Sequence, residues 1–417
     1  MIKKTIRSRQ YYGQLGVVLV ALCAICLTVA TVKYPKDAFD SAIIGLQLWW
    51  TVVFPALLPF FILSEILMGL GIVHFVGILL EPLMRPLFNV PGAGAFALSM
   101  GLASGYPMDA VITAKFRKSG MCTAVEAERL LSFTNTADPL FMFGAVAVGM
   151  FGRPDLGVII ALGHYLSSFL VGILFRFHGR SEKSSPDEAK RPLKNIFLRA
   201  LEALFKARHD DGRPIGQLLG DSVKNSMNTI LLIGGFIIIF SVVIRILTVT
   251  GFTGLLSQAF AGLLELIGYS ASLAPALVSG LLEIDLGCLA ASQAQAPLGE
   301  KVAAAAAIIA WSGLSVHGQV ASIVIESGIR IGPYMISRLL HAVLAAIVTV
   351  LLMGPASSIA KFAALPVMAA PARQAPFAIG IARAEQTLYL ACIMISILTV
   401  LSMSYYLIRK LYLYAKR

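Results

Sequence analysis

Apolar residues in this chain come in long runs separated by short polar segments, and the placement of those runs predicts membrane helices. Residues 13–31, 231–249, 336–353 and 388–407 carry few or no charges. A run of about 20 residues is what a helix needs to cross about 30 Å of hydrocarbon at 1.5 Å per residue. Along the chain the pattern predicts a helix over 42–70, an amphipathic stretch over 72–88 and a Gly/Pro-interrupted hairpin over 91–120. A helix broken near 134–139 and an unbroken helix over 156–177 follow. About 175 residues later the order recurs: 221–249, 252–267, 273–296, a helix from 298 broken near 312–318, and 336–353. Each set reads as three crossings plus one re-entrant hairpin. With the first and last helices, the chain is expected to make eight crossings and two hairpins.

Composition sharpens this picture. Hydrophobic residues make up 58% of the 417 and charged ones only 13%, against about 25% charged in soluble proteins, which excludes a soluble fold. The net charge of +12 raises the question of nucleic acid, but the Lys and Arg residues lie between and beside the apolar runs, where they act as orientation signals. No nucleic-acid partner is expected. The basic N-terminal tail (Lys3, Lys4, Arg7, Arg9), the segment 180–213 with nine basic residues, and the tail with Arg409, Lys410, Lys416 and Arg417 are therefore expected in the cytoplasm. Lys33, Lys36, Asp37 and Asp40 balance one another and suit the outer face. Each half then crosses an odd number of times and in opposite directions, which is an inverted-topology repeat.

The expected division is a tail and first helix (1–37), repeat 1 (38–178), a basic cytoplasmic linker (179–213), repeat 2 (214–353), an outer loop (354–386), and a last helix with a basic tail (387–417). The first apolar run is longer than the 7 to 15 residues of a signal peptide and lacks a small-residue cleavage site, so it is read as an uncleaved helix. Five scattered cysteines do not form a disulfide framework. The pair Cys23 and Cys26 lies inside an apolar run and is read as packing.

Backbone groups cannot stay unpaired against lipid, so helix interruptions at membrane depth must face protein or a watery cavity. The candidate substrate-binding residues are therefore those of the four breaks. They are Ser104, Gly105 and Tyr106; Thr134, Asn135, Thr136 and Asp138; Glu283 and Asp285; and Ser312, Ser315, His317 and Gln319. Ionisable groups at this depth cost about 2.5 to 3.5 kcal/mol each on insertion scales, which singles out Asp138, Glu283, Asp285, His317 and Arg338. Structural alternatives remain for Asp138, as the N-cap of a helix starting at Pro139, and for His164 and His341, as inward-facing hydrogen-bonders. Lys115, Arg117 and Lys118 read as cytoplasmic anchors. No catalytic, metal or cofactor motif occurs in a plausible context, Ser167 and Ser168 near His164 being the nearest approach. The chain is expected to be no enzyme and to carry no cofactor, with any coupling ion unspecified.

Several segments resemble a known family. They are Phe54-Pro55-Ala56-Leu57-Leu58-Pro59-Phe60, Asn89-Val90-Pro91-Gly92-Ala93-Gly94-Ala95, Ser104-Gly105-Tyr106-Pro107, Ser132-Phe133-Thr134-Asn135 with Pro139-Leu140-Phe141, and Ala310-Trp311-Ser312-Gly313-Leu314-Ser315-Val316-His317. Together they resemble the YlbJ/SpoVV family of sporulation integral membrane proteins, within the group carrying the nucleoside-transporter gate domain. The resemblance implies an all-α polytopic fold like that of the concentrative nucleoside transporters. It also implies carriage of dipicolinate out of the mother cell across the outer forespore membrane during sporulation. Asp109, Asp138 and Asp285 stand where the family pattern has Gly, Asn or Ser, and Thr. The alternatives kept beside this reading are a cation-coupled nucleoside transporter and a membrane scaffold for spore assembly. The expected partners are a small-molecule substrate and the lipid bilayer, with self-association into a homo-oligomer left open.

Overall fold

The computed structural model describes residues 21–118, 120–139, 141–179 and 196–355, together with 18, 357, 400 and 402–404. The expected N-terminal tail, most of the 354–386 loop and almost all of the last helix lie outside the described residues. Among those described, every regular element is helical.

The chain opens with α1 (Ala21–Lys33). Next comes α2 (Pro35–Leu48), which passes through a wide π turn at Trp49–Val53 into α3 (Phe54–Gly69). Gly71, at φ +81°, starts α4 (Ile72–Leu83), and the chain bends there by 70°. The first hairpin is α5 (Gly94–Ser104) and α6 (Met108–Lys118). A broken helix follows, made of α7 (Ala124–Thr134) and the π-helical Phe141–Met150, and then α8 (Leu156–Phe175).

Helix α9 (Ile196–Asp211) falls within the basic 179–213 segment and packs on α4. The order then repeats with α10 (Ile215–Val249), Gly251 at φ +81°, α11 (Phe252–Leu266), and the hairpin α12 (Ala274–Leu282) and α13 (Ile284–Gln293). The second broken helix is α14 (Leu298–Trp311) and α15 (Gly313–Val324), and α16 (Ile331–Met353) closes the half. Helices α10 and α16 begin a few residues before their expected starts at 221 and 336. The second break is confined to Ser312 rather than spread over 312–318.

The two halves run in opposite directions. Down the seam between α2–α3 and α10, Arg245 pairs with Asp37 (2.5 Å), Ser241 Oγ donates to Ser41 O (2.6 Å) and Trp49 Nε1 donates to Ile230 O (3.0 Å). Further along, Gly69 packs on Leu218. The first helix of one half thus lies antiparallel to the first helix of the other, which is the geometry of an inverted repeat. Helices α8 and α16 pair likewise, with the His164 and His341 rings 4.6 Å apart. Small residues let these helices approach. Ala306 and Ala310 of α14 are buried against Ala345 of α16, as membrane interfaces favour because lipid drives no hydrophobic association.

By length and hydropathy, Leu156–Phe175, Ile215–Val249, Leu298–Ser327 and Ile331–Met353 can each cross a membrane, and Phe61–Gly69 with His74–Phe88 forms a bent fifth candidate. The other expected crossings are divided by π turns or breaks, or lie outside the described residues.

Candidate functional site

The two hairpin tips meet the two helix breaks in the middle of the bundle. In the first half, Gly101 lies so close to the α7 terminus that a Cβ there would stand 2.1 Å from Thr134 O. At Gly105, φ is +66° and a Cβ would stand 2.9 Å from Asp138 N. In the second half, a Cβ on Gly313 would stand 3.1 Å from Glu283 Cα, and Trp311 Nε1 donates to Leu281 O (3.1 Å). Tyr106 crosses between halves, its hydroxyl donating to Ile309 O near the end of α14 (2.9 Å).

A cleft of about 520 Å³, counted to its open mouth, lies where these parts converge. Its polar lining is Tyr106, Asp138, Glu283, Asp285, Ser315 and Gln319. Its apolar walls come from Val53 of the first π turn, Phe61 of α3, Phe141, and Ile233, Phe236 and Ile237 of α10. Among the described residues no Lys or Arg lines it. Among the described residues no group of three or more His, Cys, Asp or Glu is arranged to hold a metal ion.

Local chain chemistry places the three carboxylates. Asp138 Oδ1 accepts from Phe141 N (2.9 Å), so it caps the second half of the broken helix, as its N-cap reading anticipated. Glu283 caps α13, accepting from Leu286 N (2.8 Å). Both carboxylates therefore sit on the positive ends of half-helices. Asp285, in the first turn of α13, is 3% exposed, and its Oδ1 has no hydrogen-bond partner.

Thr134, Asn135, Thr136, Ser312 and His317 are turned into the protein. Thr134, Asn135 and Ser312 are fully buried. Asn135 Nδ2 donates to Asp109 Oδ1 (3.0 Å), and its Oδ1 accepts from Tyr334 Oη (2.9 Å). Thr134 Oγ1 donates to Leu130 O (2.9 Å), and Thr136 Oγ1 donates to Thr134 O (3.3 Å). His317 Nε2 meets Trp311 O (2.7 Å). Ser312 holds a left-handed conformation at φ +78°, which is uncommon for a residue with a side chain. Ser104 closes α5 at the hairpin tip. The two histidines read as internal hydrogen-bonders take that role: His164 Nε2 accepts from Ala137 N (3.0 Å), and His341 Nε2 donates to His164 O (2.9 Å).

Sequence reasoning missed the apolar walls. Ile233, Phe236 and Ile237 belong to a long apolar run, and nothing in that run distinguishes a cleft wall from a lipid-facing side chain. It also missed Asp109, Tyr334 and Arg338 as the internal support of the first break, a role that needs α6 and α16 to be brought beside α7.

The family model described as "Gate: Nucleoside recognition" matches residues 50–154, a span holding Val53, Phe61, Tyr106, Asp138 and Phe141 of the cleft. The chain is 46% identical over 343 residues to the sporulation integral membrane protein YlbJ of Bacillus subtilis (strain 168), covering 82% of this chain and 84% of that one. Among solved structures it is similar to CNTnw, a double variant in an outward-facing state. That likeness has a TM-score of 0.45 and 14% identity, covering 79% of this chain and 85% of the other.

Proposed function

We propose, from the premise that this chain belongs to the YlbJ family of sporulation integral membrane proteins, that it carries a small anionic aromatic metabolite through the cleft between its two repeats. The substrate we assign is dipicolinate, moved out of the mother-cell cytoplasm across the outer forespore membrane. The observation that carries the transport reading is the convergence of both hairpin tips and both helix breaks on one cleft. Phe61, Phe141 and Phe236 give that cleft walls suited to a flat ring, while Ser315 and Gln319 offer hydroxyl and amide donors. In this reading the termini and α9 face the cytoplasm.

A dicarboxylate bears two negative charges, and each charge crossing 100 mV is worth about 2.3 kcal/mol. Leaving a negative cytoplasm is then favoured by roughly 4 to 5 kcal/mol, so a gated uniporter suffices. One observation favours a second reading. Asp138, Glu283 and Asp285 line a cleft that has no lining cation among the described residues, which suits a neutral, hydroxyl-rich substrate such as a nucleoside moved together with a cation. The deciding experiment is efflux of labelled dipicolinate from vesicles containing the purified protein, set beside direct binding of dipicolinate and of nucleosides. Dipicolinate efflux that follows an imposed potential without a sodium or proton gradient supports the first reading. Nucleoside binding with strict cation dependence replaces it with the second.

A further inference from the structure

We infer that the Arg338 guanidinium is a built-in cation at the first helix break, so that this break works without a bound sodium ion. The inference rests on the transporter reading above. A broken transmembrane helix exposes carbonyls at the C-terminal end of its first half, where about half a negative charge gathers. In transporters of this general build, such unwound carbonyls coordinate the coupling cation. Here the chain's own side chains already hold them. Arg338 Nη1 donates to Asn135 O (2.5 Å) and Nη2 donates to Ser132 O. Ser168 Oγ donates to Phe133 O (2.5 Å), and Tyr165 Oη donates to Ala137 O (3.0 Å). With Thr136 Oγ1 on Thr134 O, the carbonyls of residues 132–135 and 137 all accept a side-chain hydrogen bond.

The charge itself distinguishes this arrangement from simple capping. Arg338 is fully buried, and among the described residues no carboxylate forms an ion pair with it. Its other neighbours are the Nδ1 of His341 (3.1 Å) and the Tyr334 ring, 5.6 Å from Cζ. Asp109 is held one residue away, bonded to Asn135 and Thr134. A charge without a carboxylate partner is expensive in such surroundings, and here the helix terminus and its carbonyls supply the compensation. At the second break, Tyr106 Oη and the His317 ring take the Ile309 and Trp311 carbonyls, and among the described residues no guanidinium joins them. The two breaks are therefore unequal: among the described residues, a fixed cation is found at the first and not at the second.

The test reads thermal unfolding of the full chain in detergent, in sodium chloride against choline chloride at equal ionic strength. The wild-type midpoint is expected to be the same in both. Arg338→Gln, which keeps hydrogen-bond donors but not the charge, is expected to melt several degrees lower and to recover at least half of that loss in millimolar methylguanidinium or sodium. Arg338→Lys should stay closer to wild type. A saturable, sodium-specific rise in the wild-type midpoint would overturn the inference, as would an Arg338→Gln variant that is as stable as wild type and indifferent to cations. If Arg338→Gln does not fold, the wild-type sodium titration and Arg338→Lys still decide. Because no substrate enters this measurement, a sodium-indifferent wild type that transports nothing would sink the transport reading and leave the built-in cation standing.

Discussion

Asn135 is fully buried and ties the first break to two elements, through Asp109 of α6 and through Tyr334 and Arg338 of α16. Removing its amide strands buried partners, a loss of about 1 to 3 kcal/mol. Asn135→Ala should therefore lower the thermal midpoint in detergent and lower transport with it; an unchanged midpoint would show that the network is dispensable. Asp285 stands in the opposite situation, buried at the cleft with an oxygen free of protein partners. Under the dicarboxylate reading it repels the substrate. Asp285→Asn is then expected to tighten dipicolinate binding about tenfold, the change that about 1.4 kcal/mol produces. Loss of binding in that variant would favour the cation-coupled reading. These residues were legible in the sequence as polar groups in apolar surroundings. Their division into network and cleft was not, because it depends on which way each points when α6, α13 and α16 close around the breaks.

At the scale of the element, the hairpins depend on close approach. Gly101→Val is expected to push α5 away from Thr134 O, where even a Cβ would stand at 2.1 Å, and to cost about 1 to 3 kcal/mol as overpacking does. The yield of folded protein on size-exclusion chromatography should fall, while Gly299→Ala, with nothing within 4 Å, should match wild type. Equal yields for both variants would contradict the packing argument. The element order was readable from apolar runs and Gly/Pro breaks, because a broken helix in lipid must gather its polar groups at the break. The π turn at Trp49–Val53 was not readable. Its sequence is as apolar as the flanking helices, and the turn sits where Trp49 reaches across to Ile230 O.

For the whole molecule, inversion makes a direct prediction. The start of α2 lies beside the end of α10, joined by Asp37 and Arg245. At the other end of the helices, ion pairs link the halves through Lys118 with Glu326 (2.9 Å) and Glu128 with Arg330 (2.5 Å). In intact cells, cysteines introduced at Lys36 and Lys206 should label oppositely with a membrane-impermeant reagent, Lys36 from outside and Lys206 only after permeabilisation. Labelling of both from outside would overturn the inverted arrangement.

The amino-acid sequence by itself determined that this is a helical membrane protein with two matching halves. Lipid permits few alternatives to the helix, and basic loops orient what spans it. Tertiary structure alone decided which apolar residues build the cleft. On α10, Leu231 and Leu232 are exposed on the outer surface of the bundle while Ile233 and Phe236 line the cleft. In water those two fates would leave a polar and an apolar stripe. In a bilayer the lipid tails are as apolar as the protein interior, so the sequence carries no such contrast, and only packing reveals which face is which.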